Sequence, residues 1–176
     1  MICSFRTQNM NLKYKIVTIL TLFFLVSCNV KYNFTGTGKI NAKTFQVNYF
    51  QNNAEIVEVG IERTFTQKLQ NTIQNQTNLD LVPSGGDLLY EGEIVEYRIT
   101  PMASNANQQS SQNRMTITIN VRYSSKNSED DNFEKRFSFF HDYDANLLPS
   151  AVLNEALEII YERITLDIFN ESLAKW

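Results

Sequence analysis

The chain has 176 residues, 43% apolar and 20% charged, with 16 Lys and Arg against 19 Asp and Glu. That balance excludes a strongly basic nucleic-acid binder and a charge-rich disordered chain, so no nucleic acid is expected as a partner. Three prolines and six glycines exclude a collagen-like or linker-dominated chain, and the length suits one domain or two small ones.

Residues 1–27 contain Arg6, Lys13 and Lys15 and no acid. Lys13 and Lys15 precede an apolar run from Ile16 to Val26. As a helix it would rise about 16 Å, too short for a hydrocarbon core of roughly 30 Å. Basic residues, a short apolar stretch and small residues together describe a secretory signal. The run ends in Leu25-Val26-Ser27-Cys28, which resembles a bacterial lipobox. That resemblance implies cleavage between Ser27 and Cys28 and lipidation of the Cys28 thiol. Residues 1–27 are then the signal peptide and 28–176 the mature domain. Its charge becomes −6, because three basic residues leave with the signal.

With Cys3 discarded and Cys28 alkylated, the domain has no thiol left for a disulfide and stands on its core. Two or three acyl chains give a firm membrane tether. Residue 29 is Asn rather than Asp, and Asn29-Val30-Lys31-Tyr32-Asn33 has no acidic run. Both features favour the periplasmic side of the outer membrane. The Asn33, Asn75 and Asn170 sequons are then idle, since a lipobox belongs to a bacterium.

Thr44 to Tyr49 alternates apolar and polar residues and predicts a half-buried strand closed by Asn52-Asn53. Ile61, Phe65, Leu69 and Ile73, with Val57 one turn earlier, form a narrow apolar helical stripe. Leu79 to Val82 is a brief strand before Pro83-Ser84-Gly85-Gly86. Leu88 to Ile99 predicts a long, less regular strand, in which Gly92 marks a bulge or a close backbone approach. Thr100-Pro101 ends it. Residues 103–113 have no bulky apolar side chain and predict a mobile loop.

Arg114 to Tyr123 is the cleanest element. Met115, Ile117, Ile119, Val121 and Tyr123 point one way, and Arg114, Thr116, Thr118, Asn120 and Arg122 the other. A sheet with one covered and one wet face gives this pattern. Lys126 to Asn132 is a charged turn, and Phe133 to Tyr143 a further strand with Phe137, Phe139 and Phe140. Ser150, after Pro149, can cap a helix to about Asn170 with the stripe Leu153, Ala156, Leu157, Ile160, Ile164 and Ile168. The expected fold is α+β: a two-layer sandwich with both helices on one face of a mixed, mostly antiparallel four-stranded sheet.

Chemistry is sparse. His141 is the only histidine, and in a strand it diverges from Asp142, so a base with its orienter is not expected. One His and no free Cys supply no zinc geometry. Glu129-Asp130-Asp131 reads as a solvated turn, and Glu91, Glu93 and Glu96 as a wet or partner-facing edge. The glycine pairs lack the lysine of a P-loop. No catalytic residue, metal or cofactor is expected. Arg114 and Arg122, with Arg98 nearby if strands 88–99 and 114–123 form a hairpin, are the candidate contacts for phosphate.

Tyr32-Asn33-Phe34-Thr35-Gly36, the segments Phe45 to Ala54 and Phe65 to Leu69, Asp87 to Tyr97, and the closing Asp167 to Asn170 with Trp176 resemble the LPS-assembly lipoprotein family LptE. The resemblance implies an α+β fold and residence in the lumen of an LptD-type outer-membrane β-barrel as plug and assembly partner. It also implies contact with lipopolysaccharide and a part in its delivery to the cell surface. The same strand–helix plan fits a periplasmic lipoprotein regulating another envelope system, such as peptidoglycan synthesis or secretion. A hydrolase using His141 is the third reading.

Overall fold

The computed structural model describes residues 40–102 and 111–174. The signal and lipobox readings, with Ser27 and Cys28, fall outside these residues, as do Trp176 and residues 103–110 of the expected loop. Among the described residues six strands form one sheet: β1 (Thr44–Val47), β2 (Gln51–Asn52), β3 (Asp80–Leu81), β4 (Leu88–Met102), β5 (Gln112–Ser125) and β6 (Phe133–Asp144). The same residues include two α-helices, α1 (Ile61–Gln76) and α2 (Pro149–Leu173), with a 3₁₀ turn at Glu129–Asp131. The sheet order is β3-β1-β4-β5-β6, with β2 also on β4. β1 and β2 run parallel to β4, while β4, β5 and β6 form an antiparallel meander. β2 and β6 therefore leave the sheet at the same end, and both helices begin there.

The expected α+β layering holds, with six strands instead of four. The first predicted strand, Thr44 to Tyr49, ends at Val47, and a two-residue strand, β2, follows at Gln51–Asn52 where the closing turn was expected; between them Phe50 leaves the ladder. Its N–H donates to Thr66 Oγ1 of α1 at 3.2 Å, and its fully buried ring meets Phe65 edge-on at 4.9 Å. Phe65 meets Tyr161 of α2 at 5.2 Å, so one aromatic row ties β2, α1 and α2 together. The short strand contracts to Asp80–Leu81 beside β1.

β4 continues past Pro101, which lies opposite Asn113 of β5. β1 and β2 reach no further than Ile94, so among the described residues no neighbour on that side needs the missing N–H of Pro101. The irregularity of β4 is a bulge at Val95, between Ile94 and Glu96. Gly92 is the close approach: a Cβ there would lie 2.0 Å from the Asn120 carbonyl oxygen. β5 starts at Gln112, so two residues assigned to the loop are strand.

α1 begins at Ile61, after Gly60 at φ +93°, and Val57 does not join its stripe but is 64% exposed. Glu62 in the first turn favours the helix dipole and accepts from Gly60 N–H at 3.2 Å. α2 begins at Pro149, whose missing N–H costs nothing at a first helical position. Leu148 takes the cap position and Ser150 makes no capping hydrogen bond. The buried side of α2 is broad, adding Val152, Tyr161, Thr165, Phe169 and Ser172 to the expected stripe. Tyr90 of β4 donates to Ser172 Oγ at 2.9 Å and so satisfies a buried hydroxyl. Among the described residues no helix is long and apolar enough to cross a membrane.

Candidate functional site: the polar sheet face

The helices cover one face of the sheet. Alternation places Glu91, Glu93, Glu96 and Arg98 of β4 on the other, with Arg114, Thr116, Thr118, Asn120 and Arg122 of β5 and Glu134, Arg136, Ser138, Phe140 and Asp142 of β6. Strict alternation after Ile94 would point Glu96 at the core. The extra residue Val95 resets the phase, so Glu96 faces solvent and Tyr97 is buried.

The register brings these groups into a cross-strand network. Arg114 binds Asp142 bidentately at 2.7 and 2.8 Å, and its guanidinium carbon lies 3.6 Å from the centroid of the Phe140 ring. The Arg114 hydrogen bond holds the Asp142 carboxyl below its ordinary range. Arg122 reaches Glu93 at 3.1 Å and Glu91 at 3.5 Å. Asn120 donates to Glu93 at 2.9 Å and to Glu134 at 2.7 Å. The Glu93 pKa is lowered by the Asn120 hydrogen bond first and by Arg122 after it. Thr118 donates to Glu96 at 2.7 Å. Glu91, Glu93 and Glu96 are thus hydrogen-bonded partners of β5.

The three arginine candidates do share this face, and Arg98, opposite Thr116, lies one register step from Arg114, opposite Thr100. They differ in freedom. Arg114 is held by Asp142 and the Phe140 ring, and Arg122 lies among Glu91, Glu93 and Glu134. Arg98 is 58% exposed and, among the described residues, paired only with its own strand neighbour Glu96 at 2.9 Å. It borders a groove of about 480 Å³ with Arg136, Thr118, Val95 and Ile56. Arg136 lies close enough to Glu93 to lower its pKa, yet among the described residues it has no carboxylate within 4.0 Å. Sequence reading missed Arg136, although the alternation of β6 places it beside Ser138 and opposite Asn120. His141 lies on the helix-side face opposite Met115, half-buried, while Asp142 turns away to Arg114. Among the described residues no group of three His, Cys, Asp or Glu converges to hold a metal.

This is a two-layer domain whose second sheet face is an ion-paired polar surface. A homolog of a neuraminyllactose-binding hemagglutinin from Helicobacter pylori shares the fold, at 10% identity and TM-score 0.51, over 74% of this chain and 83% of that one. Protein CT253 from Chlamydia trachomatis aligns at 10% identity and TM-score 0.47, over 76% and 98%. Rare lipoprotein B from Shewanella oneidensis aligns at 9% identity and TM-score 0.40, over 72% and 89%. No curated protein matches the sequence. Residues 42–172 match LptE, the lipopolysaccharide-assembly family, and the chain belongs to it.

Proposed function

We propose that this chain is a non-catalytic lipoprotein of the outer membrane that plugs an LptD-type β-barrel, assists its assembly and takes part in delivering lipopolysaccharide. Cleavage between Ser27 and Cys28 removes residues 1–27, and acyl chains on Cys28 hold the domain on the periplasmic side. The observation that carries this reading is the family match over residues 42–172. The polar sheet face supports it: Arg114 and Arg122 are paired with Asp142, Glu91 and Glu93 across the strands, so most of its charge can stand against the wet inner wall of a barrel, and Arg136 is left for a ligand.

Lipopolysaccharide phosphates contact Arg98 first, with Arg136 across the same groove and the exposed Ile56 beside them. Arg114 and Arg122 contribute where a phosphate exchanges with their carboxylates. The test is affinity purification of the full chain from detergent-solubilised outer membrane. It recovers an LptD-type barrel, and recovery of none rejects the reading. Arg98→Glu combined with Arg136→Glu lowers lipopolysaccharide retention at least about tenfold, since charge-assisted contacts are each worth about 1.5–3 kcal/mol. Unchanged retention removes the groove from the proposal.

A further inference from the structure

Between β1 and β2 the chain steps away from β4. Val47 pairs with Tyr90, and pairing resumes at Gln51 with Glu93, so this segment uses one residue more than β4 over the same span. Beside the step, on the polar side of the sheet, lies a recess of about 250 Å³. Asn48, Tyr49, Gln51 and Asn53 border it on one side. Glu91 and Glu93, with Gly92 between them, and Arg122 border it on the other.

Much of this border is fixed without a ligand. Gln46 donates to Asn48 Oδ1 at 2.6 Å, Asn48 donates to Glu91 at 3.1 Å, and Arg122 joins Glu91 to Glu93. Tyr49 is 57% exposed, yet its hydroxyl donates to Glu62 of α1 at 3.2 Å. The ring is thereby held at the rim although more than half of it meets solvent. Gln51 and Asn53 are exposed as well, and among the described residues neither side-chain amide has a hydrogen-bond partner.

Open amides, a held aromatic ring and a guanidinium already shared by two carboxylates define a ligand class. A phosphate finds no unshared cation here, and a purely apolar group would cover the amides without pairing them. A sugar suits both features. Each hydroxyl donates and accepts, as each amide does, and the C–H face of a pyranose lies on an aromatic ring. We propose that the recess binds a neutral pyranose. Resting on the lipopolysaccharide reading above, that sugar belongs to the saccharide of the molecule whose phosphates meet Arg98 and Arg136. The placement agrees: the recess ends at Asn53 and Glu93, and the phosphate groove begins at Glu55 and Val95. The step along β4 is two residues, about 7 Å.

The test uses the full chain in detergent and three probes: complete lipopolysaccharide, lipid A without saccharide, and the lipid-free saccharide released by mild acid. Tyr49→Ala lowers retention of complete lipopolysaccharide about three- to tenfold and leaves retention of lipid A unchanged. Gln51→Ala combined with Asn53→Ala, at exposed positions that do not threaten the fold, does the same, as the loss of neutral hydrogen bonds predicts. Tyr49→Phe, which keeps the ring, keeps at least half of the retention. The free saccharide receives saturation transfer in NMR from the wild type and none from Tyr49→Ala. Arg98→Glu combined with Arg136→Glu lowers retention of lipid A but leaves transfer to the free saccharide intact, so the two sites fail separately. A wild type that retains neither lipid yet saturates the free saccharide refutes the transport reading and supports the recess. Equal loss of both lipids in Tyr49→Ala, no loss of either, no transfer to the free saccharide, or stronger transfer to peptidoglycan glycan fragments overturns the proposal.

Discussion

At Gly92 a methyl group would stand 2.0 Å from the Asn120 carbonyl oxygen and 2.8 Å from Cε1 of Phe50, so backbone and core ring would both have to move. Gly92→Ala is expected to lose about 3 kcal/mol or more, at or above the upper end of ordinary overpacking. Gly60 gives the contrast: φ is +93° but nothing lies within 4 Å of an added Cβ. Gly60→Ala adds only left-handed strain, about 1–2 kcal/mol. Urea unfolding followed by far-UV circular dichroism ranks the two, and equal losses would remove the close-approach argument. Gly92 could be singled out in the sequence because a glycine inside a strand weakens it, a cost that a bulge or a closely approaching backbone offsets. The partners of Arg114 and Arg122 could not. Asp142 is 28 residues from Arg114, and Glu91 is 31 from Arg122; only the register joins them.

Elements were legible in proportion to how strictly they alternate. β5, with one covered and one wet face, showed both faces in its sequence, and Met115, Ile117, Ile119 and Val121 are all fully buried. β4 was not, because its phase changes at Val95, and the first strand was not, because Phe50 exchanges a ladder bond for Thr66 of α1. The bulge makes its own prediction. Deleting Val95 places Glu96 directly after Ile94 and restores a plain period of two, still with Glu96 outward and Tyr97 inward. The variant should fold, losing only the local twist of the bulge. Deleting Thr118 instead inverts one half of β5, driving apolar residues outward and polar ones into the core. Thermal melts should show a cooperative transition for the first deletion and none for the second. A Val95 deletion that is as disruptive as the Thr118 deletion would show that the bulge sets more than phase.

Across the whole molecule, stability is tied to groups whose titration the fold displaces at both ends of the pH scale. Asp87 accepts the backbone N–H groups of Lys43 and Thr44, which join the start of β1 to the start of β4 and lower its pKa. Glu93 and Asp142 are lowered on the polar face by Asn120 and Arg114 respectively. A lowered carboxylate contributes stability above its unfolded pKa, near 3.9 for Asp and 4.3 for Glu, which is lost as pH falls through the folded value. At the other end, burial pushes Tyr123 up to about 12 and raises Tyr90 and Tyr161 as well. A raised phenol contributes its stability below an unfolded pKa near 10, and that contribution is lost as pH climbs toward the folded value. The urea midpoint should therefore be flat between about pH 5 and 9 and fall on both sides. Asp142→Asn flattens part of the acid limb and leaves the alkaline limb alone, while Tyr161→Phe does the reverse. An acid limb unchanged by Asp142→Asn would mean that the Arg114 pair forms in the unfolded chain too, and that the polar face, though ordered, is not where acid unfolding begins.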